Sequence, residues 1–239
     1  MKLTKKKIFV MAIAISLIAI LSFSTLAWFS DSKELTNNFM IADTQDNDPD
    51  DIFSVKLDET TPEGSEDNDG YVYNDILPGD ELVKEPVVTN TGYYDQYIRV
   101  TVTVTDAGAW MTVLGKTAAD DYPALSEIVS GYDANLWDCS VTRVSTSPSD
   151  DNLVYTLYYK KILSGEIVDA VTDLLPSNVT VFEKVLIPDG MTQAQAAAFD
   201  NQFDIKVKAE AVQTENVGVD STNTVVDAVE AFAYVAANS

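Results

Sequence analysis

The stretch QYIRVTVTVTD, residues 96–106, alternates apolar and polar side chains with a period of two. Successive side chains of a β-strand point to opposite faces, so this period predicts a strand with one face in a core. FDIKVKAEAVQ, residues 203–213, repeats the pattern. These two stretches predict the long strands of a mostly β protein.

Shorter candidate strands flank them, most bounded by Pro, Gly, Asn or Asp. Pro86 lies inside one of these and predicts an edge strand or a bulge there, because proline cannot donate to the ladder. Many strands without regular alternation with helices favour an antiparallel sandwich. The shorter candidates are residues 52–59, 82–90, 153–160 and 179–187.

Few helices are expected. In MTQAQAAAFDN, residues 191–201, Thr192 is a candidate N-cap with Gln195 three positions later, the spacing of a capping box. The tail NTVVDAVEAFAYVAANS, residues 223–239, predicts a helix with one apolar stripe. That stripe comprises Val225, Val226, Val229, Phe232 and Ala233.

Composition excludes several classes of function. The 239-residue chain carries a net charge of −23, which favours solubility and disfavours binding to nucleic acid or to anionic lipid. It has no histidine, so the usual base of serine and cysteine hydrolases and the common zinc ligand are missing. The single Cys139 cannot form an internal disulfide and is interpreted as a buried structural thiol.

The N-terminus has the form of an export signal. Four lysines precede an apolar run over residues 8–27, and the residues beyond it are acidic. Small side chains at Thr25 and Ala27 favour cleavage between Ala27 and Trp28. Cleavage leaves 11 basic and 38 acidic residues, a net charge of −27. The alternative is a retained membrane helix, since the run is long enough to span a bilayer.

Two acidic low-complexity stretches flank the 52–59 strand and raise the question of calcium. The candidate ligands do not fit the calcium-binding loop of an EF-hand. When Gly70 is taken as the glycine of that loop, its first and twelfth positions, which should be ligands, fall on Ser65 and Ile76. Solvated loops are the favoured interpretation, and weak calcium binding on a multimer is the alternative. The candidate ligands are Asp46, Asp48, Asp50, Asp67 and Asp69.

No catalytic grouping emerges from the sequence. It contains neither a phosphate-binding glycine loop nor a Gly-x-Ser-x-Gly elbow. With so many acidic residues, no pair of carboxylates can be singled out for acid-base work. We therefore expect a protein that is not an enzyme and that needs no cofactor.

Three segments resemble the TasA and camelysin family of biofilm-matrix proteins, which are exported with a signal peptidase of the SipW type. LAWFSDSKELTNNF, residues 26–39, is similar to the family's cleavage site followed by a short polar stretch and a domain-opening Phe. ILPGDELVKEPVVTNTGYYDQYIRV, residues 76–100, is similar to its Leu-x-Pro-Gly-Asp turn, strand, Asn-x-Gly and long strand. The third, FEKVLIPDGMTQAQAAAFDNQFDIKVKAEAVQ, residues 182–213, is similar to a closing strand, helix and strand.

The resemblance implies a jelly-roll-like β-sandwich that polymerises into extracellular fibres by donor-strand exchange. It implies a signal peptide at 1–27, a donor segment at 28–38 and a single domain at 39–239. Trp28, Phe29 and Leu35 are then donor-strand residues, and Phe39 opens the domain. Implied partners are further copies of the chain, the signal peptidase and an accessory matrix protein, with membrane contact only through an uncleaved leader.

Two alternative functions remain open. A membrane-anchored surface adhesin or binding module would keep the leader as a helix. A secreted metalloprotease, an activity described for part of the family, lacks support because the chain has neither His-Glu-x-x-His nor any histidine.

Overall fold

A computed structural model describes residues 33–37, 54–59, 65–67, 70–73, 76–117, 121–147, 150–165, 175–199, 203–214 and 224–238. The described chain is mostly β, and its sheets are antiparallel apart from one pairing. The strands are β1 Lys33–Asn37, β2 Val55–Glu59, β3 Ser65–Asp67, β4 Gly70–Val72, β5 Glu81–Val83, β6 Pro86–Asn90, β7 Gln96–Thr105, β8 Val129–Ser130, β9 Trp137–Ser147, β10 Asp150–Tyr159, β11 Asn178–Thr180, β12 Lys184–Leu186 and β13 Ile205–Gln213. The helices are α1 Ala107–Val113, a 3-10 turn Leu125–Glu127, α2 Gln193–Ala197 and α3 Thr224–Asn238.

The largest sheet has five strands in the order β1-β13-β7-β10-β9. Both long strands predicted from the alternation are confirmed, and they pair antiparallel along nine residues. On β7 the residues Ile98, Val100, Val102 and Val104 are fully buried, while the intervening Arg99 and threonines are only half-buried. The alternation therefore orients this sheet, with one face towards the core.

Two three-stranded sheets share the core with it, in the orders β11-β6-β2 and β5-β12-β8. Each ladder continues one residue beyond its strands: the Val181 N–H donates to the Pro86 carbonyl at 2.9 Å beside β11, and the Lys84 N–H donates to the Glu183 carbonyl at 3.1 Å beside β5 and β12. Val55, Leu57, Val88 and Val179 from these sheets belong to the same buried cluster as the inner face of the five-stranded sheet. Trp110 of α1 completes this cluster, with Phe203 edge-on at 4.9 Å between ring centroids.

Pro86 corrects one expectation. It lies on β6, which pairs on both sides and is not an edge strand. The sequence candidate at 82–90 instead divides into β5 and β6, and Pro86 is the first residue of β6. Proline is tolerated at a strand's first position because only its carbonyl is used there.

The Pro78-Gly79-Asp80 turn that leads into β5 is built from local chemistry. Gly79 has φ +90°, which a side chain would strain, and proline before it suits a type II turn. The Asp80 carboxylate accepts a hydrogen bond from the Leu77 N–H at 2.7 Å. The Gly79 N–H donates to the Ile187 carbonyl at 3.1 Å, tying the turn to the end of β12.

Both predicted helices form, but α3 buries a different face from the one expected. Thr192 caps α2 together with Gln195, as the capping box predicted. On α3 the buried residues are Asp227, Ala228, Ala231, Phe232 and Val235, whereas Val226 and Val229 are each 41% exposed. The helix is apolar on several sides, so periodicity could not select the stripe, which the fit against Tyr97 and Val212 decides.

Candidate functional site: the edges of the five-stranded sheet

The two edges of the five-stranded sheet are formed by β1 and β9. β1 is the one strand of the described sheets that pairs parallel to its neighbour. It falls within the 28–38 segment that the family resemblance implies to be a donor strand. The β1 side of β13 is therefore the candidate position for strand exchange, because without β1 this strand would be an edge whose backbone groups another segment can pair with.

β1 pairs with β13 over five register positions. Leu35 lies opposite Ala209, and Glu34 lies opposite Lys208. Ala209 is fully buried on the core face of the sheet, and it shares its register position with Leu35. The preceding position pairs two oppositely charged residue types, Glu34 and Lys208.

β13 is a rigid acceptor because its other side is already paired. It makes a continuous antiparallel ladder with β7 from Ile205 to Gln213. Its inner residues become smaller along the strand, from Val207 to Ala209 and Ala211, and all three are buried. Alanine is a weak strand former, so its use here is explained by close packing at this edge, where β2 lies beside both β1 and β13.

A charged cluster lies on the opposite face of β13. Arg99 Nε donates to Glu210 Oε2 at 2.8 Å, and Lys208 Nζ is 3.4 Å from Glu210 Oε1. The Arg99 guanidinium also lies 4.4 Å from the ring centroid of Phe232 on α3. The cluster thus joins β7, β13 and α3 at the acceptor strand.

The ionisation of Glu210 follows from these contacts. Burial opposes the charged carboxylate, but the hydrogen bond from Arg99 and the positive charges of Arg99 and Lys208 outweigh burial and lower its pKa. Glu210 therefore stays ionised at neutral pH and holds the two cations in place.

The sequence-predicted site residues are only partly covered. Leu35 lies in β1, at the acceptor edge. Ala27, Trp28, Phe29 and Phe39 lie outside the described residues, as do the calcium candidates Asp46, Asp48, Asp50 and Asp69. Asp67 ends β3, opposite Gly70 of β4.

The described residues contain no group of three or more His, Cys, Asp or Glu placed to hold a metal ion. Cys139 is partly buried on β9, and burial raises the pKa of its thiol to about 11. A thiol with a raised pKa is a poor nucleophile at neutral pH. Across the same part of the chain, the helices are all too short or too polar to cross a membrane.

The other edge, β9, was not predicted. Its sequence WDCSVTRVSTS alternates at its start but becomes polar and exposed on both faces after Val141. Half-buried strands give the period-two signal, and this strand is exposed because it is outermost. The signal that could have located it is its enrichment in Val and Thr.

None of the known protein families, curated proteins or solved structures compared with the chain matches it.

Proposed function

We propose that this protein is an exported structural subunit of the TasA and camelysin type. In this proposal it has a jelly-roll-like β-sandwich and assembles into extracellular fibres. The leader is removed after Ala27, and the freed N-terminal segment of one subunit completes the sheet of the next. The observation that carries the proposal is β1, a short strand from that segment seated on the edge of β13.

The pairing of β1 is suited to exchange between subunits. It contributes only five residues, and parallel pairing is slightly less stable per residue than antiparallel pairing. Residues 38–54 separate it from β2, a connection that spans at most about 60 Å when extended. The β13 strand of a neighbouring copy is then within reach. In the exchange, β1 leaves β13 of its own subunit and pairs with β13 of the neighbour.

Exchange of this kind produces filaments because the contact is head-to-tail. The donor strand and the acceptor edge are different surfaces, so each subunit that gives β1 still has a vacant β13 edge to fill. The net charge of −27 on the cleaved chain keeps unassembled subunits apart in solution. Assembly therefore depends on the specific pairing of β1 with β13 and not on nonspecific association.

Deletion of residues 28–38 from the mature chain tests the proposal. We expect a folded monomer by circular dichroism and size-exclusion chromatography, and no filaments by electron microscopy, while the intact mature chain forms them. Normal polymerisation of the truncated protein would refute donor-strand exchange.

A synthetic peptide of residues 28–38 provides the matched experiment in trans. Added in excess to the mature chain, it should occupy the β13 edge and stop fibre growth. A peptide of the same composition in scrambled order is the control, since only the ordered sequence brings Leu35 opposite Ala209. Equal inhibition by both peptides would count against a register-specific groove.

Intact-mass measurement of the extracellular protein addresses export and the rival anchor. A chain that begins at Trp28 supports cleavage, and its recovery from the medium supports a secreted subunit. A chain that begins at Met1 and partitions with membranes favours the anchored adhesin.

A further inference from the structure

β9 is the second edge of the five-stranded sheet, and among the described strands it pairs with β10 alone. From Thr142 to Thr146 every residue is exposed, including Val144, which is 45% exposed and is one of the few large apolar side chains left at the surface. An edge of this length presents a row of backbone groups that another strand can pair with.

Most of the usual protections of an edge strand are missing from β9 between Trp137 and Ser145. Its sequence contains no proline, and its pairing with β10 is regular over that stretch, with a single irregularity at Thr146, which has no partner between Asp150 and Asp151. Between Cys139 and Ser147 the only charged residue is Arg143. Arg143 is itself neutralised, since Nε and Nη2 donate to the two carboxylate oxygens of Asp151 at 2.7 and 2.6 Å.

The surrounding elements restrict the open part of the strand. The Trp137 end is covered, because the Trp137 indole donates to the Thr180 carbonyl at 3.2 Å and the Tyr132 hydroxyl to the Trp137 carbonyl at 3.4 Å. The helix α3 packs over β7, β10 and β13. Residues 138–146 are therefore the stretch offered to an incoming strand.

We propose that this stretch pairs antiparallel with the same stretch of a second copy, about a twofold axis through Thr142. The pairing joins two five-stranded sheets into one sheet of ten strands. It uses identical surfaces on both copies, as an isologous contact requires. It is independent of strand exchange at β13, which uses the opposite edge of the sheet.

The charge pattern fits a second copy of β9 as the occupant in one register. In the register centred on Thr142, Asp138 lies opposite Thr146, Ser140 opposite Val144, and Val141 opposite Arg143 of the second copy, so no like charges meet. A register centred one residue later would set Arg143 against Arg143, which is destabilising. The centred register also covers the exposed Val144 of both copies.

The contact is small, and its strength should depend on salt. Nine residues of a strand extend about 30 Å, and an edge contact of that size falls in the class of weak interfaces. Each mature copy carries a net charge of −27, so repulsion opposes association until salt screens it. A covalent trap is therefore the appropriate measurement.

Cysteine cross-linking of the full mature chain provides that trap. Thr142→Cys is introduced in a Cys139→Ser background, and the control is Ser126→Cys, also at an exposed position but away from the sheet edge. Residues directly opposite in an antiparallel pair have Cα atoms about 4.5–5.5 Å apart, within the range of a disulfide. Under mild oxidation we expect the Thr142→Cys chain to form a linked pair at least about tenfold faster than the control, more so at 0.5 M than at 0.05 M salt.

Equal rates for the two cysteine variants would overturn the proposal. The linked pair is read on a non-reducing gel whether or not fibres form. A linked pair without fibres would support the β9 contact and contradict donor-strand exchange. Fibres without a linked pair would support donor-strand exchange and contradict the β9 contact.

A charge exchange tests the register itself. In the Thr142→Cys chain, Ser140→Asp with Val144→Asp sets like charges opposite each other at two positions, whereas Ser140→Lys with Val144→Asp sets unlike charges there. Both positions are exposed, so neither variant should disturb the fold. We expect the first pair of changes to slow linking at least about fivefold and the second to retain it. Identical rates for the two double variants would refute the register.

Discussion

Replacement of Phe232 tests how α3 is attached to the sheet. Phe232 is 3% exposed and packs with Tyr97, Val212 and Tyr158 in a small buried cluster separate from the main core. Its ring also receives the Arg99 guanidinium, 4.4 Å from the centroid. We expect Phe232→Ala to loosen the helix because this ring is the largest apolar side chain that α3 buries in the cluster.

The magnitude follows from burial. Truncation of a buried phenylalanine to alanine costs about 3–5 kcal/mol, which includes the cavity that remains. The cation–π contact contributes about 0.5–1 kcal/mol of that loss. Because the cluster is small and separate from the main core, we expect a value near the lower limit, about 3 kcal/mol.

The assay is urea unfolding of the mature chain, combined with hydrogen exchange of the α3 amides. Val229→Ala is the matched control on the same helix, since Val229 is 41% exposed. It should change the free energy of unfolding by less than about 0.5 kcal/mol. A Phe232→Ala loss below about 1 kcal/mol, or an equal loss in Val229→Ala, would refute the face assigned to this helix.

Three further predictions concern the sheet and its turns. Glu210→Gln should cost about 1–2 kcal/mol at pH 7 through loss of the charged hydrogen bond from Arg99. The pKa of Glu210 is lowered on folding from a reference value of 4.5, so its stabilisation is present above that pH and is lost as the pH falls through the folded pKa. Urea titrations should therefore show the gap between the two proteins closing in acid, and a constant gap would contradict this. Asn90→Ala should lower the free energy of unfolding by about 2–4 kcal/mol. The buried Asn90 side chain donates hydrogen bonds to two carbonyls at 2.9 and 3.1 Å and accepts one from a backbone N–H at 2.9 Å. A melting temperature unchanged from the parent would refute this. Gly79→Ala should cost about 1–2 kcal/mol of stability, because its backbone is left-handed. Gly190→Ala should be close to neutral, because a Cβ added there has no neighbouring atom within 4 Å. Equal melting temperatures for the two variants would refute the strain at Gly79.

Local sequence patterns predicted those elements whose surroundings are regular. β7 and β13 alternate because one face meets the core and the other does not, and their bounds agree with the structure within two residues. The cap of α2 was predictable since Thr192 and Gln195 satisfy each other within a single turn. These features depend on neighbours a few residues apart, which the linear sequence displays directly.

Long-range fit decided the rest. β9 carries no clear period because it is an edge strand exposed on both faces. The buried face of α3 depends on Tyr97 and Val212, residues distant in sequence whose position the helix's own pattern does not contain. The sequence also could not identify β13 as the candidate acceptor, because that assignment depends on the pairing of β13 with β1.

By itself, the sequence of this protein determined a mostly β chain, its two long strands, the cap of α2 and its strongly acidic character. Those properties follow from side-chain alternation, backbone preference and charge, which act over a few residues. Only the tertiary structure decided which strands are neighbours, which edges of the sheet are paired or open, and which side of α3 is buried. Those choices depend on packing between segments about a hundred residues apart, where shape and register, not local preference, set the lowest free energy.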